Sequence, residues 1–358
     1  MVADARSATM GTEANGDRGP ANAAFALDEA ALATALEAAI PGFRGPLVAT
    51  RFRGGQSNPT YRLDAASGPL VLRRKPPGVL LASAHAVDRE FRVLQALQGR
   101  VPVATPHWLC TDESLIGSMF YVMDFVDGRV EWDPALPRHD PAQRAGHYEA
   151  IIDTLAAIHS VDVEASGLAG FGRPGNYFAR QIARWSEQYA ASRNQPNADM
   201  DALIAELPGR CPADDGAAAL VHGDFRIDNL MWTKDEPRVL AVMDWELATL
   251  GHPLADLGYF CMALRLPRNP VLPGLAGLDR GALGLPSETE LLARYATKTG
   301  RPIPDDWGFV LAFSFFRLAA IAQGVAKRAE QGNASGEQAV QAGRMVELLA
   351  KAGRKALA

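Results

Sequence analysis

Cysteine is scarce in this sequence, whose 358 residues include only Cys110, Cys211 and Cys261. The three are widely separated, odd in number and outside any CxxC pair. The sequence therefore predicts neither a disulfide framework nor a cysteine-based zinc site. Because such sparse cysteine usage is typical of a reducing compartment, we expect a cytoplasmic protein.

Long apolar runs and an excess of positive charge are also missing. No run of 18 apolar residues occurs, and no basic start leads into an apolar segment, so we expect neither a membrane span nor a signal peptide. Lys plus Arg number 36 against 41 Asp plus Glu, a net charge of −5. This balance, and the lack of a basic stripe interleaved with aromatics, argue against nucleic-acid binding.

What the sequence does contain is typical of a globular protein. Hydrophobic residues make up 48% and charged residues 22% of the chain, and the length suits one large bilobal domain or two joined ones. Residues 1–24 show no hydrophobic period, which predicts a disordered tail. Residues 25–126 predict a small α+β lobe. Its expected elements are helices over 27–40 and 84–98 and strands near 47–50, 60–63, 70–73, 107–111 and 120–125.

The remaining residues, 127–358, are predicted to be mainly helical, so the expected fold class is α+β with two lobes. The apolar period indicates helices over 141–159, 176–191, 200–206, 253–264, 287–299, 307–331 and 335–357. Short apolar runs predict strands near 219–222, 230–233 and 239–244. Residues 266–286 are rich in Pro, Gly and Leu, which predicts a long loop.

The most informative segment is VHGDFRIDNL at residues 221–230, which lies between two predicted strands. Asp224 and Asn229 are five residues apart, the offset between the base and the magnesium ligand of the protein-kinase catalytic loop. A carboxylate has to reach the attacking hydroxyl while a nearby amide oxygen holds Mg²⁺, and one loop can supply both. The alternative is a surface turn rich in Asp and Asn.

A second acidic residue, Asp244, directly follows the apolar run at 239–243. A carboxylate at the end of a buried strand is costly unless it binds a cation or several donors. In kinases the Asp of Asp-Phe-Gly binds Mg²⁺ in this way. The alternative is an Asp that caps the next turn.

With these motifs the sequence resembles the aminoglycoside phosphotransferase and choline kinase superfamily, which shares the protein-kinase fold. The nearer resemblance is to a branch related to the kinase-like domain fused to some acyl-CoA dehydrogenases, and it covers roughly residues 30–262. The strings that carry it are GGQSNPTY at 54–61, VLRRKPPG at 71–78, REFRVL at 89–94 and DWELATLGHPLADL at 244–257. It implies an N-lobe over 25–126 that binds nucleotide and a C-lobe over 127–358 that carries the catalytic loop, the metal site and the acceptor site.

The resemblance also implies a role for each matching residue, with ATP and Mg²⁺ as cofactors. Asp224 is the expected catalytic base, and Asn229 and Asp244 are the expected magnesium ligands. Asp256 is expected to bond the backbone of the catalytic loop, and His159 to pack or cap its helix. The expected nucleotide contacts are Gly54, Gly55, Ser57 and Asn58 over the phosphates, and the segment containing Asp124 and Val126 beside the adenine. A Gly-Gly turn occurs in any hairpin, so an ordinary turn remains the alternative at 54–55.

The cation that pairs with the phosphates departs from the protein-kinase pattern, which places a Lys on this strand. Here the strand ends in Arg73, Arg74 and Lys75. Side-chain alternation puts Val71, Arg73 and Lys75 on one face. The resemblance to choline kinases, in which an Arg takes this place, makes Arg73 the first candidate, and Lys75 is the second. Glu90 is the expected helix partner of this cation. A solvated basic strand end is the alternative.

The acceptor is expected to be a hydroxyl of a small molecule. Only eleven residues separate Asp244 from Asp256, too few for the activation segment of a protein kinase. From residue 262 onwards the chain has thirteen Lys or Arg against eight Asp or Glu, a net charge of +5, which leaves −10 for the part before. A basic acceptor half suits a polycationic aminoglycoside poorly, and the resemblance to the fused domain implies a hydroxyacyl-CoA. A non-catalytic nucleotide-binding pseudokinase is the alternative, and the sequence does not specify the oligomeric state.

Overall fold

The computed structural model describes residues 26–52, 58–76, 86–173, 175–328 and 336–358. The predicted tail, 1–24, and the predicted phosphate contacts Gly54, Gly55 and Ser57 lie outside the described residues. The chain forms two compact units. The first holds the described residues up to Trp132, with Glu164–Leu168 and Asp228–Ala248; the second holds Asp133–Val163, Ala169–Ile227 and Thr249–Ala358. The first unit thus includes short segments beyond residue 126, the predicted end of the N-lobe.

The first unit is built on a five-stranded antiparallel sheet with the order β1-β2-β3-β5-β4. Its elements are α1 (Glu29–Ala39), β1 (Leu47–Arg51), β2 (Thr60–Ala65), β3 (Gly68–Arg74), α2 (Val87–Leu97), β4 (Pro106–Cys110), β5 (Phe120–Asp124), β6 (Arg129–Val130), β8 (Leu230–Trp232) and β9 (Val239–Val242). Alternation along β3 sends Leu72 into an apolar core with Leu32 and Leu36 of α1. Its neighbours Val71 and Arg73 therefore face the opposite side of the sheet.

A second, three-stranded sheet in this unit has the order β6-β8-β9. Strands β8 and β9 pair with Leu230 opposite Val242, which brings Asn229 level with the end of β9. Close packing here requires a glycine at Gly128, because a Cβ at that position would lie 2.5 Å from the Met231 side chain and 2.6 Å from the Trp232 carbonyl oxygen.

The second unit is mainly helical and contains one two-stranded ribbon. Its elements are α3 (Pro141–His159), α4 (Tyr177–Ser192), α5 (Ala198–Arg210), β7 (Ala219–Val221), β10 (Thr249–Gly251), α6 (Leu254–Arg265), α7 (Arg280–Leu283), α8 (Glu288–Thr299), α9 (Trp307–Arg328) and α10 (Gly336–Leu357). Capping boxes fix where α3 and α8 begin, at Asp140 with Gln143 and at Ser287 with Glu290. Pairing of Thr249 with Val221 holds the end of β7, and the segment with Asp224 begins there.

Helix α9 is the core of the second unit and packs against α4, α5, α6 and α10. By length and composition it is the one described helix that could cross a membrane, but 78% of its most apolar window is buried. Burial of this kind is typical of a core helix, since the apolar surface is already covered by protein.

Most predicted elements are present, with shifted ends. Two predictions need correction, and two short strands were not predicted. Residues 266–286 are not a plain loop, because they contain α7 and a bridge between Pro267 and Ala276. The helix expected over 200–206 runs from Ala198 to Arg210, since Asn197 caps it at the Met200 amide. Strands β6 and β10 were not predicted, because two or three residues are too few for a periodic signal.

Candidate active site

Arg73 is the centre of the polar group in the first unit. It projects from β3, and its Nε lies 2.9 Å from Glu90 Oε2 on α2. One terminal nitrogen donates to Asp244 Oδ1 at 2.8 Å and lies 3.7 Å from Glu246 Oε2. The structure thus brings together Arg73, Glu90 and Asp244, three residues that are far apart in the sequence. Lys75, the second candidate, lies beyond the end of β3.

Glu90 is buried, with 2% of its surface exposed. Besides Arg73, it accepts hydrogen bonds from the Asn58 side-chain amide at 2.8 Å and the Tyr121 hydroxyl at 3.1 Å. Burial raises the pKa of the Glu90 carboxyl, and the neighbouring Arg73 only partly offsets that rise. Burial acts to lower the pKa of the Arg73 guanidinium, but the neighbouring groups, Glu90 first, raise it above its ordinary value. These contacts hold the Arg73 side chain in one place.

Asp244 follows β9 in an unusual backbone conformation, with φ 62° and ψ 64°. A non-glycine residue in this left-handed region costs of order 1–3 kcal/mol, and such strain clusters at functional sites. The carbonyl of Asn229 accepts from the Met243 amide at 2.9 Å, so the predicted metal ligands belong to adjacent chain segments. An amide and a carboxylate oxygen are ligands that suit Mg²⁺, and the donor set therefore fits that ion.

Next to Arg73 the first unit has a cavity with mainly apolar walls. One wall comes from β3 and β5, and the opposite wall from β8 and β9. The apolar lining residues are Phe52, Val71, Leu94, Ala104, Tyr121, Met123, Phe125, Val126, Met231, Ala241, Val242, Met243 and Trp245. The predicted hinge residues Asp124 and Val126 both line it. The Asp124 side chain contacts His107 Nε2 at 2.6 Å, and its amide donates to the Thr105 carbonyl at 2.9 Å.

In the second unit, the backbone before Asp224 is held by a buried carboxylate. Asp256 on α6 accepts from the amides of His222 at 2.6 Å and Gly223 at 2.9 Å. The prediction that Asp256 bonds the catalytic-loop backbone is confirmed. Burial acts to raise the pKa of Asp256, but hydrogen bonds and nearby histidines, His159 first, lower it below the ordinary value.

His159 was expected to pack or cap its helix, but it takes part in this polar network. Its Nε2 lies 3.3 Å from Asp256 Oδ2 and its Nδ1 2.8 Å from the Tyr295 hydroxyl. Because His159 is buried, these polar partners are what make its burial tolerable. A lone histidine at the end of a helix gives no sequence signal for this contact.

The side chain of Asp224 is partly exposed and lies beside a cation, since Arg226 Nε is 3.4 Å from Asp224 Oδ1. Gly223 has φ +86°, a conformation in which glycine is strongly favoured, and it turns the chain between β7 and Asp224. Sequence reasoning singled out Asp224 but missed Arg226, as it missed Tyr121 and Glu246 around Arg73. Two of these residues could have been found in the motifs, because Arg226 lies two residues after Asp224 and Glu246 is the last residue of Asp-Trp-Glu.

Comparison with known proteins identifies the family and the fold of the chain. Residues 48–292 match the model of the phosphotransferase enzyme family. A crystal structure of a candidate aminoglycoside phosphotransferase from Ralstonia eutropha JMP134 is 46% identical, covers 93% of this chain and 98% of its own, and superposes with a TM-score of 0.86. A mutant of aminoglycoside phosphotransferase APH(4)-Ia, in complex with AMP-PNP and hygromycin B, has a TM-score of 0.55 at 15% identity, over 85% of this chain and 93% of its own. The expected α+β kinase-like fold is confirmed.

The curated relatives are much longer proteins. Acyl-CoA dehydrogenase family member 10 of Mus musculus is 46% identical over 309 residues, 86% of this chain but only 29% of that protein. The chain spans 29% to 43% of the length of seven such curated relatives. The expected resemblance to a domain that occurs within acyl-CoA dehydrogenase family members is confirmed.

Proposed function

This chain belongs to the phosphotransferase enzyme family, and we propose that it transfers the γ-phosphoryl group of ATP to a hydroxyl of a small molecule. The observation that carries the proposal is Arg73, held by Glu90 and Asp244 at the edge of an apolar cavity. An apolar cavity next to a fixed cation suits a nucleotide, which has an aromatic base and a phosphate chain. The AMP-PNP complex of the similar fold supports ATP as the donor.

Each residue has a distinct part in this proposal. The walls of the cavity bind the base, and the chain at Asp124 and Val126 lies along its edge. Arg73 pairs with phosphate oxygens, and Glu90 keeps its guanidinium in place. Asn229 and Asp244 would hold Mg²⁺, which neutralises charge on the phosphates when it is bound.

The protein forms no covalent bond to the transferred group in this reaction. The acceptor oxygen forms a bond to the γ-phosphorus as the bond to the β–γ bridging oxygen breaks, and ADP leaves. A carboxylate oxygen of Asp224 accepts the proton of the hydroxyl. Because the transferring group needs mainly alignment and charge neutralisation, positioning of Asp224 is the main contribution of its loop.

For the acceptor we propose a hydroxyacyl-CoA rather than an aminoglycoside. The net charge of +5 after residue 261 suits an anionic acceptor better than a polycation. The names of the curated relatives connect the similar domain with acyl-CoA chemistry. This part of the proposal concerns only the acceptor and is independent of the phosphotransfer.

The test is ADP release with Mg²⁺-ATP and a panel of 4-hydroxyacyl-CoA, kanamycin and choline. We expect turnover with the acyl-CoA ester, and Asp224→Asn should lower it by about 100-fold or more while ATP binding persists. Asp235→Asn, at an exposed position after β8, is the matched control and should behave as wild type. Turnover with kanamycin alone would refute the acceptor, and ATP binding without turnover on any alcohol would indicate a pseudokinase.

A further inference from the structure

Helix α9 contains a buried charged residue that none of the motifs accounts for. From residue 307 to 326 the helix is uncharged except for Arg317. Arg317 is 6% exposed, although a guanidinium carries its charge at any physiological pH. Burying that charge in a core helix costs free energy unless the protein supplies a partner. The contacts of Arg317 therefore indicate why it is tolerated there.

The partner is the peptide that precedes the proposed catalytic base. One terminal nitrogen of Arg317 donates to the Gly223 carbonyl oxygen at 2.6 Å. The guanidinium carbon lies 5.5 Å from the ring centre of Tyr259 and 6.0 Å from that of Trp185. These aromatic faces attract the cation. The charge is thus held in one position, directed at the backbone.

Gly223 is consequently fixed from both sides. Its amide donates to Asp256 Oδ1 at 2.9 Å, and its carbonyl accepts from Arg317. The residue has φ +86°, a backbone conformation that the flanking contacts must maintain. Because Asp224 is the next residue, these two hydrogen bonds hold the backbone from which its side chain projects, together with the bond from the Asp224 amide to His222 Nδ1 at 3.2 Å.

We propose that Arg317 is a positioning residue, which fixes the Gly223 carbonyl and through it the Asp224 carboxylate. The inference rests on the proposed function, because Asp224 is the base only in that reaction. Arg317 does not itself contact the reacting atoms in this proposal. It acts through the backbone, and its loss disturbs alignment rather than nucleotide binding.

Two substitutions test this, with a matched control. Arg317→Met keeps the length of the side chain in an apolar and aromatic environment, but it removes the donor to the Gly223 carbonyl, so some loss of stability is expected. Arg317→Lys keeps the charge but not the fork of donors. The control is Arg144→Met, because Arg144 also donates to backbone carbonyls, those of Leu136 and Leu283, at 3.0 Å each.

The expected result separates stability from turnover. Arg317→Met should stay folded at the assay temperature, with at most a modestly lower unfolding temperature, an unchanged KM for ATP and a kcat lowered by at least about tenfold. Arg317→Lys should recover part of that loss, and Arg144→Met should keep the wild-type kcat. Deuterium uptake at the amides of residues 222–224 should be faster than wild type in Arg317→Met, faster to a smaller extent in Arg317→Lys, and unchanged in Arg144→Met.

Several results would overturn the inference. Wild-type kcat and wild-type deuterium uptake in Arg317→Met would do so, as would a loss of activity that only follows a loss of folded protein. If Arg317→Met does not fold, Arg317→Lys must show slower turnover and faster uptake than wild type. If the wild-type protein phosphorylates no acceptor, the proposed function fails, and unchanged uptake at residues 222–224 then overturns the role of Arg317 separately.

Discussion

Replacing Glu90 by Gln tests the polar group of the first unit most directly. The carboxylate accepts hydrogen bonds from the Asn58 amide at 2.8 Å and the Tyr121 hydroxyl at 3.1 Å, and it forms an ion pair with Arg73, whose Nε lies 2.9 Å away. A glutamine has the same shape but only one acceptor oxygen, and its amide group faces donors. At least one buried donor therefore loses its acceptor, and Arg73 loses its buried counter-charge.

The size of the effect follows from burial. Removing one partner of a buried ion pair costs about 3–5 kcal/mol. Arg73 keeps its hydrogen bond to Asp244 at 2.8 Å, so we expect the lower end, about 3 kcal/mol. That change corresponds to roughly a hundredfold shift in the unfolding equilibrium of the first unit. With Arg73 less fixed, the KM for ATP should also rise.

Urea unfolding followed by tryptophan fluorescence measures the first effect, since Trp108, Trp232 and Trp245 all belong to this unit. The control is Glu113→Gln, because Glu113 is exposed and an exposed charge contributes little to stability. The reasoning would be refuted if Glu90→Gln and Glu113→Gln unfolded at the same urea concentration. An unchanged KM for ATP beside a clear loss of stability would leave Glu90 a purely structural residue.

Two further predictions concern close packing and pH. Gly128→Ala should lower the free energy of unfolding by about 1–3 kcal/mol, and with it the urea midpoint, because the new Cβ would overlap Met231 and the Trp232 carbonyl. The control is Gly343→Ala, whose Cβ would meet nothing within 4 Å and which should leave the midpoint unchanged or raise it. Equal effects of the two substitutions would contradict the packing argument. Burial lowers the pKa of His252 below its ordinary 6.5, and Asp215 only partly offsets this. Because the folded protein then disfavours the protonated ring, the stability that His252 contributes is present above about pH 6.5 and is lost as the pH falls. Melting curves from pH 7.5 to 5 should show a smaller loss for His252→Gln than for wild type, and parallel losses would contradict the argument.

Short stretches of the sequence predict much of the candidate site. Asp224 with Asn229, and Asp244 after an apolar run, could be selected because their chemistry depends on spacing over a few residues. Strand alternation put Arg73 and Lys75 on one face, and the resemblance to choline kinases favoured Arg73 but left both open. In the structure Arg73 Nε lies 2.9 Å from Glu90 Oε2, because α2 lies against the face of the sheet from which Arg73 projects. Lys75 lies beyond the end of β3 at Arg74. Their roles in catalysis stay predictions until turnover is measured.

Other contacts could not be read from the sequence, because their partners are distant along the chain. Arg317 and Gly223 are 94 residues apart. The last third of the chain, which contains Arg317, has no motif that points to this contact. His159 likewise reaches Asp256 across 97 residues. A buried arginine in an apolar helix is a visible anomaly in the sequence, but nothing local indicates its partner.

The difference has a physical origin. Residue chemistry and strand alternation act over a few positions, so the amino-acid order alone was enough for the fold class, the phosphotransferase motifs and the candidate base and metal ligands. The neighbours of those groups depend on how helices and strands pack, which is governed by burial of apolar surface over the whole unit. Only the tertiary structure therefore decided that Tyr121 and Asn58 hydrogen-bond to Glu90, the partner of Arg73, and that α9 directs Arg317 at the backbone before Asp224.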